Sequence, residues 1–223
     1  MPTEERRRRL EQVACARQQG VLVLEDIHDP HNAAAVLRTA DAVGLQSVSL
    51  IFEQEQHFNP RKVGKTSSAS ANLWLDFRVF RSARACLEEL RGAGYRIVAT
   101  VPDESAPALL DFDFCQPRLA LLFGNEHRGL SEQALALADA RVRVPMQGMV
   151  RTLNLSVTAA LCLYELLRQR QAAGMERFLL PPAERQALVA RWLEREVPGP
   201  QITGPAADSS ELDPVLRALG IKS

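Results

Sequence analysis

The run from Arg141 to Arg170, RVRVPMQGMVRTLNLSVTAALCLYELLRQR, is the stretch that most restricts how this chain can fold. Val142 and Val144 suit a short buried strand, and Pro145 stops it, because proline has no N–H to give to a neighbouring strand. A loop carrying Gly148 follows, and Thr152, Asn154 and Ser156 then offer side-chain oxygens where a helix must begin. From Val157 to Leu167 that helix is apolar on nearly every face, whereas a helix with one solvent face shows a single apolar stripe. It is therefore expected to be covered on two sides, by its own sheet and by a second subunit. A strand entering a polar, glycine-bearing turn at a helix start lets backbone N–H and C=O groups line a ligand loop. One such loop by itself is more often an ordinary connection.

Around this run the chain alternates strand and helix. Strands are predicted at 21–25 (VLVLE), 47–52 (SVSLIF), 74–80, 95–101 (YRIVATV) and 119–123 (LALLF). Helices are predicted at 3–19, with Gly20 as the stop, and at 33–43, 83–93 and 132–138. That rhythm predicts an α/β fold, a mostly parallel sheet with helices on both faces. The loops suited to a ligand fall late, after strands ending near Thr100, Phe123 and Val144. Asn32 reads as a helix cap after Pro30, and Arg38 as a surface ion pair with Asp41. Residues 53–71 read as a loop or short irregular helix, with the polar cluster Thr66 to Ser70. Beyond Gly174, an amphipathic helix at 181–196, a linker at 198–210 and a short terminal helix at 212–219 are expected. The organisation is a basic N-terminal helix (1–20), a main domain (21–174) and a helical C-terminal extension (175–223).

Composition excludes several classes. No apolar run approaches the ~20 residues of a membrane span, and no apolar stretch follows the arginine-rich N-terminus, so no membrane association or secretion signal is expected and the protein is expected in the cytoplasm. Cys15, Cys86, Cys115 and Cys162 have neither Cys-x-x-Cys spacing nor a nearby histidine pair, which argues against zinc. Neither a Gly-x-Gly-x-x-Gly motif after the first strand nor a Gly-Lys-Ser/Thr loop is present. The 27 Lys and Arg balance the 27 Asp and Glu. The charges are unevenly placed, with Arg6 to Arg9 in a row and residues 141–174 carrying five arginines against Glu165, a distribution that suits a local phosphate-binding surface or simply a solvated face.

Three blocks, NAAAVLRTADAVG at 32–44, LLFGNEHRGLS at 121–131 and VPMQGMVRTLNLSVTAALCLYE at 144–165, stand in the order and spacing of the three motifs of the SpoU family of RNA ribose 2′-O-methyltransferases, in the SPOUT class. The resemblance covers roughly residues 3–175 and is similar in breadth to the branch acting on guanosine 18 of tRNA. It implies a C-terminal trefoil knot, which general rules of chain threading would reject, a homodimer, S-adenosylmethionine as methyl donor without a metal, and tRNA as partner. By the same resemblance Thr100, Gly124, Val144, Met146 and Leu153 line the donor pocket. Asn32 and Arg38 are the catalytic pair, and Glu126, Asn154 and Ser156 are polar positions toward the RNA. Arg9, Arg17, Arg91, Arg168 and Arg170 match RNA-contacting arginines.

The family assigns Arg38 the part of general base. An arginine stays protonated in proteins, so fixing the target phosphate and stabilising the developing alkoxide suits it better. His127, Arg128 and Thr152 depart from the usual motif residues. Two other readings share these features: a family member acting on ribosomal RNA or another tRNA site, and an RNA-binding protein with an inactive knot.

Overall fold

The computed structural model describes residues 3–61, 71–194 and 201–202. Helix α1 (Glu4–Cys15) starts where the Thr3 hydroxyl accepts a hydrogen bond from Arg6 N, with Glu4 and Glu5 in the first turn, where the helix dipole favours acids. It ends earlier than expected because residues 18–20 already belong to strand β1 (Gln18–Glu25). Gly20 is inside that strand at φ +132°, beside a register shift between Gln18 and Val21 that marks a bulge.

The chain continues through α2 (Pro30–Ala42), β2 (Leu45–Ile51), β3 (Asp76–Phe80), α3 (Ala83–Gly92), β4 (Arg96–Thr100), β5 (Leu119–Phe123), α4 (Glu132–Leu137), β6 (Ala140–Val142), α5 (Leu155–Ala172), α6 (Pro182–Leu193) and β7 (Gln201–Ile202). The sheet order is β6-β4-β5-β1-β2-β3-β7, and every neighbouring pair is parallel. The predicted cluster Thr66 to Ser70 and the predicted terminal helix at 212–219 lie outside the described residues, as does most of the predicted linker.

The alternation along β1 explains the layers. Leu22 and Leu24 face the core beneath α2 and α5, with Val36, Leu37, Leu163 and Leu166. Val21 and Val23 face the opposite core beneath α3 and α4, with Cys86, Leu87 and Ala134. A strand buried on both faces has no room for polar alternation, which is why these strands read as near-continuous apolar runs. Each such side chain removed from water contributes roughly 1.5–3 kcal/mol before chain entropy is counted.

A third, smaller core joins the N-terminal helix to α6. Leu10 and Ala14 of α1 pack on Leu188 and Trp192 of α6, and the Trp192 ring meets Trp74 edge to face at 5.6 Å. The N-terminal helix therefore has a covered face.

Two arginines expected at the RNA surface are inside this framework. Arg17 is 1% exposed: it donates to an Asp41 carboxylate oxygen at 2.5 Å and to the Leu45 carbonyl at 3.4 Å, with its guanidinium over the Trp192 ring. Arg170 is 0% exposed and donates to Gln18 Oε1 (2.7 Å) and to the carbonyls of Gln19 (2.5 Å) and Gln116 (2.5 Å). This departs from the sequence reading, because a guanidinium buried this deeply, with its Nη groups on carbonyls and side-chain oxygens of the fold, presents no donor at the surface to a phosphate. Arg17 also takes the partner expected for Arg38, since Asp41 turns inward to it.

Candidate active site

Strands β6, β4 and β5 are neighbours, so the loops leaving their C-terminal ends converge, as in ligand-binding parallel sheets generally. The loop after β5 is a tight hairpin, with Asn125 N donating to the Gly129 carbonyl (3.0 Å) and Gly129 N to the Asn125 carbonyl (2.9 Å). It starts at Gly124, where a Cβ would lie 2.4 Å from the Gly129 carbonyl carbon. Asn125 fastens the hairpin to the end of β1. Its Nδ2 donates to the Asp26 carbonyl at 2.7 Å, while its Oδ1 accepts from His127 N and Arg128 N.

This places the Glu126 carboxylate against the start of α2. Oε1 accepts from Asn32 Nδ2 (2.9 Å) and Asp29 N (3.2 Å), and Oε2 accepts from His28 N (2.8 Å). Asn32 Oδ1 in turn accepts from Asn154 Nδ2 at 3.0 Å, and Asn154 caps α5 by accepting from Ser156 N at 2.7 Å and from the Ser156 hydroxyl at 2.6 Å. Residues from the three distant sequence blocks thus form one hydrogen-bonded line, Glu126 to Asn32 to Asn154 to Ser156. The cap of α2 is not Asn32: Asp29 accepts from His31 N and Pro30 fills the first helical position, leaving the Asn32 amide free for this line.

Burial alone would raise the Glu126 carboxyl, but the Asn32 amide and the His28 and Asp29 backbone N–H groups outweigh it and hold the group below its ordinary 4.5. A lowered folded-state value means that the stabilisation is complete above the unfolded-state value and is lost as pH falls through the lower, folded one. Titrating Glu126→Gln against the wild type is expected to give converging stabilities only in that acidic window. Chemical denaturation at stepped pH measures this.

Beside the line lies a cavity of ≈ 960 Å³. Of the residues expected at the site, Thr100, Gly124, Val144, Met146, Leu153, Asn32, Glu126 and Asn154 line it. Val142, Leu155 and Cys162 give it an apolar floor. From Val144 to Leu153 the main chain makes no hydrogen bond to other main-chain groups among the described residues, so its amides and carbonyls remain available. The Thr100 hydroxyl donates to the Leu122 carbonyl at 2.9 Å and thereby ties β4 to β5 at the cavity edge. Apolar floor and free backbone groups together suit a ligand with a flat heteroaromatic ring and polar ends.

Other expected residues lie elsewhere. Ser156 is reached only through Asn154. Arg38 is exposed on α2, is not among the residues lining the cavity of its own chain, and has no hydrogen-bond or ion-pair partner among the described residues. Arg9 is exposed on α1 and donates to Gln12, Arg91 binds the Leu137 carbonyl and Asp139, and Arg168 pairs with Glu165. His28, Asn125 and Glu55 are site residues that sequence reasoning passed over. The first two stand inside the motif-like stretches DIHDPHN and GNEHRG, whereas no local pattern marks Glu55, which a fold of the 53–55 backbone onto the Asp26 carboxylate brings in.

A fully parallel α/β sheet with a large cavity at the C-terminal ends of three adjacent strands defines a ligand-binding α/β protein. The chain belongs to the SpoU rRNA Methylase family, whose model matches residues 19–164. It is 40% identical over 198 residues to the tRNA (guanosine(18)-2′-O)-methyltransferase of Thermus thermophilus, covering 86% of this chain and 98% of that one. Among solved structures, the A. aeolicus TrmH/SpoU tRNA modifying enzyme superposes with a TM-score of 0.78 at 28% identity, over 87% of this chain and 98% of that chain. The SpoU methyltransferase AviRb from Streptomyces viridochromogenes, solved in complex with the cofactor AdoMet, has a TM-score of 0.59 at 31% identity, over 70% of this chain and 60% of that chain.

Proposed function

We propose that this protein transfers the methyl group of S-adenosylmethionine to the ribose 2′-oxygen of guanosine 18 in tRNA. The observation that carries the reading is the line from Glu126 through Asn32 to Asn154, which borders the cavity in a chain so similar to a relative of that activity. When bound, S-adenosylmethionine supplies a methyl group on a positively charged sulfur, activated without a metal. The chain's own residues would do the rest. The backbone from Val144 to Leu153, with Thr100 and Gly124, would hold the donor over the apolar floor. Asn32 and Asn154, locked by Glu126, would set the sugar's position, which can supply much of the rate enhancement. Arg38 would hold a phosphate of the target nucleotide, and the exposed arginines of α1, with Arg91 and Arg168, would position the tRNA through its backbone without reading its sequence.

The reading includes a homodimer, the family's trefoil knot and a cytoplasmic location. For the dimer the support is α5, where Val157, Leu161 and Tyr164 form an exposed apolar stripe opposite the helix's buried face. A dimer built there would also bring α2, packed beside α5, toward the second cavity. Tyr164→Glu is expected to shift the protein from dimer to monomer in sedimentation velocity runs at micromolar concentration; an unchanged sedimentation coefficient would refute this interface.

The activity is tested with radiolabelled donor and an unmodified tRNA transcript, followed by nuclease mapping. Label at guanosine 18 is expected. Label confined to another tRNA position or to ribosomal RNA would place the protein elsewhere in its family, and no label despite donor binding would make it an RNA-binding protein.

A further inference from the structure

The ladder between β1 and β5 ends at Leu24 opposite Phe123, so no strand pairing steadies the hairpin that follows and carries Glu126. Two successive residues at the end of β1 take over. The Asp26 carbonyl accepts from Asn125 Nδ2 at 2.7 Å and grips the hairpin where it starts. Glu25 grips it just past its end: Oε1 accepts from the Ser131 hydroxyl at 2.6 Å and Oε2 from Ser131 N at 3.0 Å.

Glu25 is 2% exposed, and a buried carboxyl costs free energy unless its oxygens are hydrogen-bonded. Both oxygens here are spent on one serine. Helix α4, which starts at this serine, does not need the acid for its cap, because Ser131 Oγ accepts from Ala134 N at 3.1 Å on its own. Glu25 adds a tie across 106 residues, from the end of β1 to the end of the hairpin. Between the two grips stands Glu126, whose carboxylate meets Asn32 Nδ2 at 2.9 Å and so sets the line to Asn154. A hairpin held at one end only can tilt about that end, and a tilt carries Glu126 off Asn32 while Gly124 and Asn125 stay in place.

We propose that Glu25 is a positioning residue for the methyl transfer: through Ser131 it fixes the far end of the hairpin and keeps Glu126 on Asn32. The proposal rests on the methyltransferase reading above. Glu25 does not line the cavity, so its effect passes through Ser131 and the hairpin. Glutamine can keep the tie, its Oε1 accepting from Ser131 N and its Nε2 donating to Ser131 Oγ, whereas leucine fills similar space and keeps none of it.

Two measurements separate this role from plain packing. Nitrogen-15 NMR of the free protein follows the Asn32 side-chain amide, assigned with Asn32→Asp, and single-turnover transfer to an unmodified tRNA transcript at saturating donor and tRNA follows the rate. In Glu25→Leu the amide resonance is expected to move toward that of a free amide. The rate is expected to fall about 30-fold, with affinities for S-adenosylmethionine and tRNA within about threefold of the wild type. Glu25→Gln is expected to keep the amide resonance and a rate within about threefold of the wild type. Ser131→Ala, which removes the hydroxyl from the tie, is expected to lose about tenfold in rate, and the double variant no more than Glu25→Leu alone. An unmoved Asn32 amide in Glu25→Leu, a rate loss matched by equal losses of donor and tRNA affinity, or Glu25→Gln as slow as Glu25→Leu would overturn the role. Should Glu25→Leu not fold, Ser131→Ala at full rate with the amide unmoved would do the same. No transfer by the wild type would instead overturn the functional reading beneath the proposal, and the amide measurement would still decide the tie.

Discussion

Arg170→Ala is expected to destabilise the protein by about 3–5 kcal/mol, because it strips the donor from several buried acceptors at once. The guanidinium links the end of α5 to the first residues of β1 and to the carbonyls of Gln116 and Pro117 just before β5, and it lies over the Phe178 ring. Burial pulls its pKa down to about 10, still high enough to keep it charged at neutral pH. Alanine would leave the Gln18 side chain and three carbonyls facing a void that only water could fill. Arg168→Ala, two residues away, removes an exposed guanidinium from the buried Glu165 carboxylate, which keeps the Gln169 amide as a donor, and is expected to cost only about 1–2 kcal/mol. Urea unfolding of the two variants measures the contrast. Equal midpoints, with tRNA affinity lost only in Arg170→Ala, would return Arg170 to the RNA surface.

Gly124→Ala is the second large effect, expected to cost about 3 kcal/mol in stability and at least ~100-fold in methyl transfer. The added methyl would meet the Gly129 carbonyl carbon at 2.4 Å, its oxygen at 2.5 Å and Leu130 N at 2.5 Å, all main-chain atoms that cannot swing aside. Relief requires opening the hairpin, which displaces Asn125 from Asp26 and Glu126 from Asn32, so the clash reaches the site directly. Gly129→Ala serves as comparison. Its Cβ would meet open space, and only the positive φ of +72° opposes it, at a cost of roughly 1–2 kcal/mol. Thermal unfolding and single-turnover rates for the pair decide the matter; a Gly124→Ala enzyme as active and stable as Gly129→Ala would show that the hairpin does not set the site.

The legible and illegible parts of this molecule divide along the range of the forces involved. Strand and helix order came through because doubly buried strands such as Leu119–Phe123 and stripes such as Val36, Leu37 and Ala40 are written in local periodicity. The positions of the late loops were legible for the same reason, since each loop is announced by the strand before it, but their convergence depends on the adjacency of β6, β4 and β5. Helix caps were half legible: of the three oxygens read at the start of α5, on Thr152, Asn154 and Ser156, that of Asn154 makes the cap, but at α2 two capping residue types stand three apart, and Asp29 takes the place assigned to Asn32.

Long-range polar contacts were not legible from the residues themselves. Arg17 and Arg170 have the same local surroundings as Arg9 and Arg168, and only the carbonyls and carboxylate that the fold brings to them separate the buried pair from the exposed one. Glu55 reaches the site because the Asp26 carboxylate accepts three successive backbone N–H groups across a gap of 27 to 29 residues, a relation no periodicity encodes. The packing of α6 on α1 was missed likewise, because Leu188 and Trp192 show an apolar stripe without saying what covers it.

The central claim is that the backbone loops after β4, β5 and β6 form one receptor for the methyl donor. Calorimetric titration of S-adenosylmethionine into the wild-type protein tests it most directly. One equivalent bound per chain, with binding abolished by Gly124→Ala and retained by Arg38→Ala, is the predicted result; no heat of binding, or binding that Gly124→Ala leaves intact, would contradict it.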